Sequence, residues 1–243
     1  DTLAGIASLG GRGAYIGKVR NDQLGAVFAH DIRAIGVRYE TQPLTEGLPT
    51  ARCLILVTPD AQRSMSTFLG ASTLLDEDDI DVDLVRGAEI TYLEGYLFDR
   101  PEAKAAFFLA ARTAHAAGRK VALSLSDSFC VDRHHAEFTR LVEHVDILFA
   151  NEGEAMALTR AGSFAEAART LSSACPMVCV THGARGSIIF AGGAVHEIAA
   201  HPVDNVVDTT GAGDLYAAGV LDGLTSGRDT ATAGRIGSIA AAE

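Results

Sequence analysis

The sequence has no tryptophan and only four cysteines and six prolines in 243 residues. The cysteines, Cys53, Cys130, Cys175 and Cys179, show no Cys-x-x-Cys spacing, which argues against a zinc ribbon or a disulfide scaffold. Cys175-Pro-Met-Val-Cys179 could be pictured as two metal ligands, but free cysteine is a well-buried residue type and the segment reads as the edge of a buried strand. Positive charge is scarce: 20 Lys and Arg face 31 Asp and Glu, for a formal net charge of -11. No basic stripe appears, so nucleic acid is not an expected partner. No run of 18 apolar residues exists, so no membrane helix is expected. The opening DTLAGIASLGGRG has neither a basic start nor an initiating Met, so no signal peptide is expected and the true N-terminus is expected upstream. Together these absences point to a reducing, cytoplasmic compartment.

What is present is an ordinary globular composition, 48% hydrophobic and 21% charged, at a length that suits one large α/β domain, with or without a small appendage. Strand-like segments lie at 14–19, 53–58, 90–93, 121–126, 147–150, 177–181 and 187–190. Several are unbroken apolar runs, as expected of strands buried on both faces. Helical patterns fall between them at 24–35, 101–117, 135–144, 164–173 and 213–224. The second has Pro101 in its first turn and Gly118 at its stop, with Ala103, Phe107, Ala110 and Ala114 at helical spacing. Such alternation predicts a doubly wound, mostly parallel sheet flanked by helices, with ligands beyond the strands' C-terminal ends. Residues 36–72 break the rhythm. Two extended runs flank Thr58-Pro59-Asp60-Ala61-Gln62, which reads as a projecting β hairpin or an edge extension of the sheet.

The strongest local signal is Val207-Asp208-Thr209-Thr210-Gly211-Ala212-Gly213-Asp214-Leu215. Small residues let a backbone approach a ligand closely. The helix that follows directs unpaired amides and the positive end of its dipole at the same point, which suits a phosphate. Asp214 in this turn could accept the proton of an attacking hydroxyl, or could simply cap the helix.

This segment closely resembles the second signature of the PfkB, or ribokinase-like, carbohydrate and nucleoside kinases. Asn151-Glu152-Gly153-Glu154 resembles the family's Asn-x-x-Glu motif, and Thr181-His182-Gly183-Ala184-Arg185-Gly186 its ATP-holding turn. Leu9-Gly10 through Ile16-Gly17-Lys18-Val19, with Asp22 and Gly25, resembles the body of the first signature. The resemblance implies a ribokinase-like fold with 1–35 and 73–243 as the core and 36–72 as a small β lid, which often supports a dimer. It implies ATP and magnesium as cofactors and a small-molecule nucleoside or sugar as substrate. Asp214 would be the catalytic base, and the amides of Gly211, Ala212 and Gly213 the anion hole. Asn151 and Glu154 would organise magnesium and the phosphates through water. Thr181, Gly183 and Gly186 would line the nucleotide pocket, and Glu94 would contact substrate hydroxyls. Asp208 and Thr210 match positions that hold potassium in many members. Family segments before Asp1 and after Glu243 are not in this sequence, and the role of Asp1 is open.

Structural alternatives stand beside these roles: Asn151–Glu154 could only start a helix, 181–186 could be a plain hairpin, and Glu94 could be a surface residue. Leu123-Ser124-Leu125-Ser126-Asp127-Ser128-Phe129 and Leu93-Glu94-Gly95-Tyr96 look more like the adenosine-kinase branch than the ribokinase branch, with ribose or fructose as the other acceptors. Gly11-Arg12-Gly13 through Gly17 is a misplaced dinucleotide fingerprint, since it precedes a strand, and no Walker sequence occurs. A kinase-like sensor that binds without turnover is the non-enzymatic alternative.

Overall fold

Alternate residues of the central strands face opposite ways, and each set meets its own layer of apolar side chains. In a computed structural model describing residues 1–59 and 63–243, six strands hydrogen-bond in one sheet in the order β10-β9-β8-β7-β6-β5. These are β5 (Ile90–Glu94), β6 (Lys120–Ser124), β7 (Ile147–Asn151), β8 (Met177–Thr181), β9 (Ser187–Ala191) and β10 (Ala194–Ile198). β5 to β8 run parallel, and β9 and β10 close the edge as antiparallel hairpins. Leu123, Leu148, Val178 and Val180 join Phe98, Phe107 and Phe138 in one core cluster. Ala122, Ile147, Phe149, Cys179 and Ile189 join Tyr216 and Val220 in the other. Two-sided burial of this kind explains the unbroken apolar runs.

The first layer is built by α4 (Pro101–Ala116), α5 (Ser128–Arg133), α6 (His135–Val142), α7 (Glu152–Thr159) and α8 (Phe164–Ala174). α9 (Ala212–Thr225) covers the other face, packed between α1 (Thr2–Ser8) and α10 (Thr230–Ala240). Backbone proximity sets this packing: a Cβ on Gly5 would lie 2.8 Å from that of Ala218, and one on Gly219 would lie 2.7 Å from the Gly237 Cα. The buried Tyr216 hydroxyl donates to Ser187 Oγ at 2.7 Å, tying α9 to β9. Cys175 and Cys179 are buried free thiols, as expected of a strand edge; burial pushes Cys175 up to about 11.

The strand expected at 14–19 is corrected. Only β1 (Ala14–Tyr15) is extended, paired with β2 (Arg38–Tyr39). Lys18 instead turns its amine to Asp79 at 2.6 Å and the Leu74 carbonyl at 3.0 Å. The expected strand at 121–126 stops at Ser124, because Ser126 is left-handed with φ 66°. α2 (Gln23–Ala34) is capped by Asp22, which also accepts from the Thr50 amide and hydroxyl. Within 36–72, β3 (Arg52–Val57) and β4 (Arg63–Phe68) form a separate antiparallel hairpin, not an extension of the central sheet. The turn expected at 58–62 falls partly on 60–62, outside the described residues.

Candidate active site

Four parallel strands end on one edge and bring the sequence motifs together there. Glu94 is register partner of Ser124, and Asn151 of Thr181. The start of α9 meets this edge from the second face. Its N-cap is Gly211, left-handed at φ 81°, a conformation glycine adopts without steric cost. The helix begins with the Leu215 amide on the Gly211 carbonyl at 2.8 Å, while the Ala212 amide turns back onto the Thr209 carbonyl at 3.3 Å. Among the described residues the Gly211 and Gly213 amides make no backbone hydrogen bond outside regular elements, so two donors and the helix dipole meet at this turn.

Asp214 stands in the first turn of α9. Burial lifts its carboxyl above the usual range. Glu94 is lifted to about 7, first by burial and then by the charge of Asp214, against a hydrogen bond from Ser126. The two carboxyls therefore share one partly desolvated space. The Ser126 hydroxyl is 2.9 Å from Glu94 Oε2 and accepts from the Gly95 amide at 3.0 Å. Tyr96 is pushed up to about 12 by burial and by Asp214 and Glu94, yet half its surface is open. Phe129, behind the same strand end, is 75% exposed. Asp1 also arrives here: a Cβ on Gly211 would stand 3.2 Å from the Asp1 carboxylate.

Asn151 and Glu154 make a reciprocal cap at the start of α7. Both Glu154 oxygens accept from Asn151, from its amide at 2.9 Å and its side chain at 2.7 Å. The helix-start reading is thus realised, and the same geometry holds a buried carboxylate at the site edge. Burial raises its pKa. Next to it, Thr181 begins a turn that joins β8 to β9, so the hairpin reading is realised as well. Gly183 and Gly186 have φ of 55° and 92°. A Cβ on Gly186 would lie 2.0 Å from the Ile198 carbonyl oxygen, so packing alone demands glycine there. His182 stacks on Phe164 with ring centroids 4.5 Å apart. Arg185 donates to Glu152 at 3.3 Å, and the His182 ring lies beside the same carboxylate, which ties this turn to the Asn151–Glu154 helix start.

Sequence reasoning missed Arg63. From the first position of β4 its guanidinium donates to Thr209, in the loop before Gly211. That loop also folds on itself, with the Thr210 amide and hydroxyl on Asp208 Oδ1 at 2.9 and 2.8 Å. Cross-strand partners share a face, so Arg63 shares its face with Val57, Ile55, Met65, Cys53 and Thr67. Through Arg63 this face of the hairpin meets the loop before Gly211. The opposite face carries Leu54 and Leu56, which are 70% and 72% exposed. A single arginine beyond a turn carries no periodic signal, and only the three-dimensional contact reveals it.

A magnesium–nucleotide complex fits these donors in one particular way. Among the described residues no three His, Cys, Asp or Glu side chains gather tightly enough to cage a metal. Glu154 spends both oxygens on Asn151, so it suits a water-bridged ion whose other ligands are phosphates. At the Asp208–Thr210 turn the neighbouring cation is Arg63, so a monovalent ion there would share the carboxylate with it.

The fold and sequence have clear relatives. An adenosine kinase from Sinorhizobium meliloti superposes with a TM-score of 0.96 at 50% identity, covering 99% of this chain and 74% of that one. The curated adenosine kinase of Saccharomyces cerevisiae is 29% identical over 251 residues, 96% of this chain and 72% of its own length. The protein named probable fructokinase-6, chloroplastic, from Arabidopsis thaliana is 29% identical over 240 residues, 93% of this chain and 61% of its own length. The chain thus spans less than two thirds of that plant relative. No helix among the described residues is long and apolar enough to cross a membrane. The profile described as pfkB family carbohydrate kinase matches residues 2–243, and the chain belongs to that family.

Proposed function

We propose that this protein is an ATP-dependent kinase that phosphorylates a hydroxyl, most readily a primary one, of a nucleoside, with adenosine as the first candidate. The observation that carries the reading is the left-handed Gly211 turn, which sets the Asp214 carboxyl beside free amides at the start of α9. When bound, ATP supplies the phosphoryl group and magnesium offsets its charge. Asp214 takes the proton from the acceptor hydroxyl, and its raised pKa makes it a stronger base than a free aspartate. The Gly211 and Gly213 amides, with the helix dipole, meet the charge that develops on the transferred group. Arg63 brings a cation to the same point from the lid, so lid closure and charge stabilisation are one event. Asn151, Glu154 and the 181–186 turn hold the nucleotide side, Glu94 holds acceptor hydroxyls, and Asp208 with Thr210 offers a place for potassium.

The acceptor side favours a base-bearing substrate. Phe129 and Tyr96 present open aromatic surface at the strand end, and the lid face that carries Arg63 adds Ile55, Val57 and Met65. Open aromatic surface on the core and apolar side chains on the hairpin suit a nucleobase better than a second polar sugar face. The fructokinase match keeps a sugar acceptor as the second reading. On the outer lid face, Leu54 and Leu56 are the surface on which a second copy would pair. Aspartate at both positions is expected to convert a dimer to a monomer in sedimentation velocity; an unchanged dimer would refute that surface.

ADP release with ATP and magnesium, measured across adenosine, other nucleosides, ribose and fructose, tests the function. Substrate-dependent release that falls by at least about a hundredfold in Asp214→Asn is expected. Near-normal turnover by that variant would remove Asp214 as the base, and nucleotide binding without release on any acceptor would favour a sensor.

A further inference from the structure

Two non-glycine residues among those described have positive φ, Ser126 at 66° and Arg160 at 55°. Arg160 closes α7 as a left-handed C-cap, a common way for a helix to end. Ser126 ends no helix. It lies between β6 and the Asp127 cap of α5, where a serine in the left-handed region is strained by its Cβ. Strain of this kind persists when surrounding contacts hold it in place, and it gathers at functional sites.

Those contacts are specific. The Ser126 hydroxyl lies 2.9 Å from Glu94 Oε2 and 3.2 Å from the Ser124 carbonyl, and it accepts from the Gly95 amide at 3.0 Å. A hydroxyl has one proton and two acceptor sites. With Glu94 ionised, the proton points to its carboxylate. With Glu94 protonated, the carboxyl donates to Ser126 Oγ and the hydroxyl proton swings to the Ser124 carbonyl. The Glu94 carboxyl and the Ser126 hydroxyl stay paired in both states, and the Gly95 amide anchors the oxygen throughout.

We propose that Ser126 is a positioning residue for Glu94, a two-way hydrogen-bond rotor that keeps the carboxyl aimed at the acceptor space whether or not it carries a proton. The groups that face Glu94 are Asp214 from α9, Tyr92 on its own strand, Tyr96 in the following turn and Tyr15 from β1. Burial and then Asp214 favour the protonated carboxyl, whereas hydrogen bonds from Ser126 and Tyr92 favour the ionised one. Held by Ser126 in either state, the carboxyl can accept from one bound hydroxyl when ionised and donate to another when protonated. The link to the acceptor rests on the kinase reading above; the hold on Glu94 does not.

Two variants separate the hydroxyl from the backbone. Ser126→Gly removes the hydroxyl and relaxes the left-handed residue, whereas Ser126→Ala removes the hydroxyl and keeps the strain. The carboxyl of Glu94 is followed by carbon-13 NMR in the glutamate-labelled protein, assigned by the signal that Glu94→Gln loses. The parent midpoint should lie near pH 7, and both variants should move it upward by about one pH unit, as loss of a hydrogen bond to a charged group would. An unchanged midpoint in Ser126→Gly would overturn the proposal even if no acceptor is ever phosphorylated. With a working acceptor, the acidic limb of its KM should follow the same upward move while plateau kcat holds. A KM profile that stays put while the NMR midpoint moves would overturn the acceptor half alone.

Discussion

Replacing Gly211 with alanine adds a single methyl group, and two features of the turn oppose it. At φ 81° the new residue would sit in the left-handed region, at a cost of about 1–2 kcal/mol. Its Cβ would also come within 3.2 Å of Asp1 Oδ2, tighter than an ordinary contact. The chain can accept this strain and lose stability, or rotate the residue to negative φ and swing the Gly211 amide out of the turn. The first route lowers Tm by about 2–8 °C for a domain of this size. On the proposed function the second removes an anion-hole donor, worth about 2.7–4 kcal/mol of barrier, or a factor of 10²–10³ in kcat. Thermal melts and ADP release on the same preparation read both. Gly213→Ala is the control, since its Cβ meets nothing within 4 Å and its φ is not positive; it should melt no lower than the parent. The reasoning is refuted if Gly211→Ala keeps both the parent Tm and the parent kcat.

Glu94→Gln should be neutral for stability at pH 4 and stabilising at pH 8. The folded pKa of about 7 stands above the ordinary 4.5, so the fold holds the proton more tightly than the unfolded chain does. The carboxyl's contribution is therefore complete below pH 4.5 and lost as pH rises through 7, by up to about 3 kcal/mol. Equal melting of parent and variant at both pH values would contradict the buried, Asp214-facing placement. Tyr216→Phe leaves the buried Ser187 hydroxyl without its 2.7 Å partner and should cost about 1–2 kcal/mol. A lower urea midpoint at unchanged slope is the expected reading; a parent-like midpoint would show that the hydroxyl pair contributes nothing to seating α9.

Much of the sheet was legible because two-sided burial writes an unbroken apolar run, and β8 occupies the expected 177–181 in full. β10 was missed although its signal was present. Gly192 and Gly193, both at positive φ, form the two-residue connection that favours a hairpin. The strand beyond them is largely exposed, so it lacks an apolar run. α10 was equally quiet: TATAGRIGSIA holds two glycines and two β-branched threonines, all poor helix formers. Its stability comes from lying against α9, where Gly237 admits the backbone of Gly219, and no window of sequence reports that partner.

The site divides along the same line. Gly211 was legible because a residue that must be left-handed in a tight turn is commonly written as glycine. Ser126 is also left-handed, at φ 66°, but serine announces nothing about φ. Its conformation follows from what its hydroxyl holds, a carboxyl 32 positions away. Arg63 and Thr209 are separated by 146 positions, and their meeting depends on where the β3–β4 hairpin is set. Local motifs therefore marked the glycine turn and the strand ends that the proposed chemistry would use. The contacts of Ser126 with Glu94 and of Arg63 with the loop before Gly211 became visible only once the strand ends and the hairpin were in position.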